Sequence, residues 1–148
     1  ILEELKGDLI SLYVSKTLYK KGYYNLPRLR AVQTAGIRRV LLKSEPKKSQ
    51  VYDTMELMQF NYFLEKGLLV YDTRSHKLSI RYDLYHETVE AMLRETLALQ
   101  LGGDKKAADD FIAKYSVWKN ELHGRLAVAM KDAETYRYVL VRYAALGE

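Results

Sequence analysis

The chain has 148 residues, 48% of them apolar, and a net charge of +5. That is long enough for one domain with a real core and too apolar for a disordered chain. It contains no cysteine, which excludes a disulfide framework, a thiolate metal site and a cysteine nucleophile, and fits a cytoplasmic protein without excluding export.

The first helix is expected over Leu2 to Lys21. At one hundred degrees per residue, Leu2, Leu5, Leu9, Leu12 and Tyr13 form an apolar stripe, with Glu4 and Asp8 together at its edge and Ser11 and Ser15 beside them. Two carboxylates against an apolar stripe are costly unless a positive group meets them. An ordinary salt bridge is one such partner; a metal ion or a metal-bound histidine is another. Gly22 suits the helix end, with Lys20 and Lys21 at the negative end of the dipole. Pro27 fits the first position of a second helix, running to about Leu42 and carrying Gly36 in its middle. A polar loop, Ser44 to Ser49, follows.

A third helix is expected from Tyr52 to Lys66, with Met55, Met58, Gln59, Tyr62 and Phe63 on one face and Gly67 at its end. The period then changes. Residues Leu68–Tyr71 and Leu78–Arg81, around a turn from Thr73 to His76, read as a β-hairpin. Asp83 with Glu87 is placed to start a fourth helix that Gly102 and Gly103 stop. Asp104 caps a short fifth helix, another covers about Glu121 to Lys131, and Tyr136 to Tyr143 reads as an extended tail. The fold class is therefore mainly α, with one small hairpin. No apolar run approaches the length of about 20 residues that spans a membrane, so no membrane partner is expected.

Charge is uneven. Residues 1–50 hold 11 Lys+Arg against 4 Asp+Glu, and the remainder 13 against 15. From Lys16 through Lys48 the only acid is Glu45. Such a stretch suits a phosphate-binding surface, or equally a solvated face or a cover for an acidic neighbour. No nucleic-acid motif accompanies it. The three histidines, His76, His86 and His123, lack the i, i+4 spacing of a zinc helix and read as surface or edge residues. There is no glycine-rich phosphate loop and no GxSxG elbow.

Order along the chain adds a resemblance. Glu3-Glu-Leu-Lys-Gly-Asp-Leu-Ile-Ser-Leu-Tyr13 resembles the second zinc motif of the dipeptidyl-peptidase III family, roughly EE-x-R/K-A-E/D running into a Leu/Tyr-rich helix. Val32-Gln-Thr-Ala-Gly-Ile-Arg-Arg-Val-Leu41 is similar to that family's VRAG-type helix, and Met58-Gln-Phe-Asn-Tyr-Phe-Leu-Glu-Lys-Gly67 to its "LQLNYLLDAG" segment. Leu97-Ala-Leu-Gln-Leu-Gly-Gly-Asp104 with Phe111-Ile-Ala-Lys-Tyr115 resembles its "Q-x-x-GD…L-x-x-KY" element. Some bacterial members of this type are Nudix-associated zinc hydrolases.

The resemblance implies that residues 1–148 are one C-terminal segment of a larger catalytic domain, the helical half of a zinc-hydrolase lobe. A chain opening on Ile1 reads as such a fragment or a processed product. The implied roles are Glu4 as zinc ligand, with Glu3 and Asp8 orienting the ligating histidines from behind. Those histidines and the general-base glutamate belong to a preceding HExxGH helix, so the implied partners are the N-terminal part of the same protein and a peptide substrate. The segment alone is expected to be inactive. A histidine that helps the family's transition state is replaced by Tyr52, whose hydroxyl can still donate to an oxyanion, and an arginine typical of peptidase members falls at Glu56. These departures keep open a non-catalytic binding or structural module of the same fold. A basic nucleic-acid-binding helical domain is the other alternative.

Overall fold

The computed structural model describes residues 1–47 and 49–133. The first helix, α1, spans Leu2–Lys20, one residue short of expectation. Leu5, Leu9 and Leu12 bury one stripe, joined by Ser15, whose hydroxyl donates to the Leu12 carbonyl at 2.6 Å and so enters the core satisfied. Gly22 takes the left-handed conformation (φ 79°) that closes the helix. The Tyr23 N–H returns to the Leu18 carbonyl and the Gly22 N–H to Tyr19, both at 3.0 Å, which is a Schellman closure.

Helix α2 spans Leu26–Arg39. Asn25 caps it by accepting from the Arg28 N–H at 3.0 Å, with Pro27 in the first turn. It stops short of Leu42. Val40 is 1% exposed, and the N–H groups of Val40 and Leu41 bond three residues back, to Ile37 and Arg38. The last turn thus tightens as the core takes Val40, and the chain leaves the helix.

Helix α3, Val51–Glu65, is the centre of the fold. Leu57 and Phe60 are buried as well as the expected Met55, Met58, Gln59, Tyr62 and Phe63, so the helix is covered on most sides and not along a single stripe. Phe60, Tyr62 and Phe63 are each at most 1% exposed. At about 2 kcal/mol of burial apiece they outweigh the ~1 kcal/mol of any single helix cap.

The hairpin pairs β1 (Leu69–Asp72) with β2 (Lys77–Ile80), antiparallel, Leu69 opposite Ile80. A lone two-stranded ribbon is marginal in water; here Leu68 and Leu69 sink into the core beside α3. Asp72 organises the turn, accepting from the Arg74 N–H at 2.8 Å and the Ser75 hydroxyl at 2.6 Å.

Helix α4 spans Tyr85–Gly102 and lies along α1. Asp83 does not cap it. A 3-10 turn, Tyr82–Leu84, precedes the helix, and Asp83 pairs with Arg81 at 3.0 Å. Gly103 (φ 64°) ends α4, and Asp104 caps α5, Lys105–Tyr115, through the Ala107 N–H at 3.0 Å, as its position foretold. Beyond it a π turn, Asn120–Gly124, leads into α6, Arg125–Ala133. The extended tail expected over Tyr136–Tyr143 lies outside the described residues. Among the described residues no helix is long and apolar enough to cross a membrane.

Candidate functional site

The first two turns of α1 carry the acids singled out by sequence, and each meets a different environment. Glu3 is 72% exposed and pairs with Lys6 at 2.7 Å; Gln100 of α4 donates to it at 2.8 Å. The Lys6 hydrogen bond, then the Gln100 one, holds its carboxyl below the usual range. Glu4 is exposed and makes no hydrogen bond or ion pair among the described residues. Asp8 is only 8% exposed. Its Oδ2 accepts from Gln59 Nε2 of α3 at 2.7 Å and meets the Arg39 guanidinium of α2.

Asp8 and Glu4 share a helix row but not a partner: Arg39 is the cation that Asp8 addresses. The guanidinium extends 3.9 Å further to Glu56 Oε1, so α1, α2 and α3 meet in a chain of alternating charge. Burial raises the Glu56 carboxyl, against the pull of Arg39 and with a further push from Asp53. Among the described residues, two buried polar atoms beside this chain find no partner, Gln59 Oε1 and the Tyr85 hydroxyl.

Tyr52 lies in the first turn of α3, 61% exposed, one turn before Glu56. Next to Glu56 a cavity of about 480 Å³ opens between the end of α2 and the start of α3, lined by Arg38, Arg39, Lys43, Asp53 and Glu56. Within the basic stretch Lys20, Lys21, Arg28 and Lys47 are exposed. No group of three or more His, Asp or Glu converges as a metal cage among the described residues. Glu4 is thus a single donor on an open surface, and a three-ligand site would need groups from elsewhere.

The histidines divide. His76 sits exposed in the hairpin turn, and His86 stacks on Tyr13 with ring centroids 4.7 Å apart. His123, read as a surface or edge residue, is 5% exposed. Its correction has a clear cause: Asn61 and the Lys119 backbone satisfy both ring nitrogens inside the fold. Arg39, Gln59 and Asn61 were not singled out as site residues. For Gln59 the signal was its place on an otherwise apolar helix face.

No family profile matches the chain. It is 26% identical over 133 residues to Nudix hydrolase 3 of Arabidopsis thaliana, a match covering 90% of this chain and 17% of that protein. The fold is that of part of DPP III from Caldithrix abyssi: TM-score 0.70 at 23% identity, over 87% of this chain and 24% of that one. The chain therefore spans about a sixth of the length of the curated relative and a quarter of the solved one.

Proposed function

We propose that the chain forms one wall of a zinc-dependent hydrolase site of the dipeptidyl-peptidase III type. The observation that carries this is the contrast among three acids on the first two turns of α1. Glu3 and Asp8 are braced by neighbouring helices, whereas Glu4 stands exposed without a partner. A carboxylate left open between two fixed ones suits a ligand whose metal arrives with other polypeptide. The fold shared with DPP III supports the reading, and the name of the Arabidopsis relative supports hydrolysis.

Glu4 would hold the metal together with two imidazoles from the preceding part of the protein. Zinc when bound would supply a Lewis acid that brings its water toward neutral pKa. Asp8, clamped through Oδ2, keeps Oδ1 to accept an N–H from a ligating imidazole. Glu3, fixed by Lys6 and Gln100, would serve the same task on the other side of Glu4. The exposed Tyr52 hydroxyl is available to donate to a developing oxyanion on a peptide substrate. A cytoplasmic setting suits this chemistry in a chain without thiols.

The test is metal content and peptide hydrolysis in the full-length protein and its Glu4→Ala variant. Zinc is expected to fall to background in the variant with the denaturation midpoint unchanged, because Glu4 supports no contact. Equal zinc occupancy in both proteins overturns the proposal. Tyr52 and Glu56, standing where the family has histidine and arginine, favour the non-catalytic module as second reading; zinc bound without hydrolysis would select it.

A further inference from the structure

His123 is a buried titratable group that the proposed site does not use. Asn61 of α3 donates through Nδ2 to the carbonyls of Tyr115 (2.7 Å) and Val117 (2.9 Å). Those two bonds fix its amide, so Oδ1 faces His123 Nε2 at 2.9 Å. An amide oxygen only accepts, and Nε2 therefore carries a hydrogen. The other nitrogen, Nδ1, lies 2.8 Å from the Lys119 nitrogen and 3.2 Å from the Lys119 oxygen. In the neutral ring Nδ1 accepts the Lys119 N–H. One imidazole thus joins α3 to the turn that starts α6.

We propose that His123 is a proton-sensitive latch, and that protonating its ring releases the Lys119–Gly124 turn, and α6 with it, from α3. A proton on Nδ1 would confront the Lys119 N–H, donor against donor. The nearest acceptor is the Lys119 carbonyl, already engaged by the N–H groups of Leu122 at 3.1 Å and His123 at 2.8 Å.

The surroundings give the charged ring little help. Trp118 stacks on it at 5.0 Å and Phe60 meets it edge-on at 5.2 Å. Val40, Leu57 and Leu126 line the remaining side. The Trp118 face recovers part of the cost of an imidazolium, and the Lys119 carbonyl, already shared by two N–H groups, relieves the clash with the Lys119 N–H only in part. On its own segment the charged groups are Lys119, Glu121 and Arg125, all exposed. Across Asn61, Glu65 of α3 and Lys114 of α5 pair with each other at 3.0 Å. No carboxylate among the described residues bonds the ring. Burial accordingly lowers its pKa, with a smaller opposing pull from the Lys119 backbone and a push from the Lys119 ammonium.

Trp118 is the only tryptophan of the chain and reports directly on the ring it covers. Acidifying the 148-residue chain from pH 7.5 to 5 should change its emission, with a midpoint below the ordinary histidine value. Across the same transition, amide exchange at Lys119, Leu122 and His123, corrected for intrinsic rate, should rise about tenfold or more while α1 and α4 stay protected. His123→Gln should abolish both responses. Asn61→Asp gives the imidazolium a carboxylate partner at Nε2, at the loss of the two Nδ2 bonds; the ring should then titrate about a unit higher while the acid-driven rise in amide exchange shrinks, because the charged ring is now held in place. Amide exchange unchanged across the titration, or an acid-driven rise in exchange as large in Asn61→Asp as in the parent chain, overturns the latch.

Discussion

Gly36 of α2 and Tyr85 of α4 are packed so closely that only a hydrogen fits between them. A Cβ on Gly36 would lie 2.8 Å from the Tyr85 hydroxyl oxygen and 2.8 Å from Leu12 Cδ2. Gly36→Ala sets two effects against each other. Alanine in a helix interior gains about 1 kcal/mol over glycine, and overpacking a closed core costs roughly 1–3 kcal/mol. Both obstructing side chains are themselves buried, so overpacking wins. The variant is expected to lose about 1 kcal/mol, read as a lower urea midpoint at unchanged slope.

The Tyr85 hydroxyl makes the complementary case. It is buried without a partner among the described residues, and burial pushes its phenol well above the usual range. Removing an unsatisfied hydroxyl deletes a desolvation penalty and no bond. Tyr85→Phe should leave stability unchanged or raise it by up to about 1 kcal/mol. It should also restore part of what Gly36→Ala loses. A double-mutant cycle in urea checks both, and strictly additive effects would show that the two residues do not meet.

Asp8 is the acid on which three helices depend. Asp8→Ala leaves the buried Gln59 amide with no bond and frees Arg39, which is 42% exposed and can turn to water. The cost is therefore set mainly by Gln59, about 2 kcal/mol. Asp8→Asn keeps an acceptor and should cost roughly half as much. Thermal melts of the two variants distinguish the cases.

Glu56 fixes a pH dependence. Its carboxyl is raised, so the folded state binds the proton more tightly than the unfolded chain does. Its contribution is whole below the ordinary glutamate pKa and is lost as pH rises through the raised value. Glu56→Gln should accordingly stabilise the protein at pH 7, with the gain vanishing as pH falls below about 4. A gain that persists in acid would point to some cause other than charge.

Much of the fold was legible because it is locally encoded. Gly22, Gly67 and Gly103 each take a positive φ at a helix end, and Asp104 caps α5 where its position suggested. The bound of α2 was missed because Val40 answers to the core rather than to its neighbours in sequence. Asp83 was misread as a cap because Arg81, two residues away, competes for the same carboxylate. In the candidate site, the acids on α1 could be read from the wheel, but their partners could not. Gln59 lies 51 residues from Asp8, and Asn61 lies 62 from His123. Helical periodicity tells which side of a rod turns inward and is silent about what waits there.

Asn61 has one more consequence. By gripping two carbonyls only two residues apart, those of Tyr115 and Val117, it turns the α5–α6 connection into a spacer of set length. Lengthening or shortening that stretch by a single residue would swing one carbonyl out of the amide's reach and shift His123 off its seat. Natural variation in loop size should therefore avoid Ser116 to Lys119.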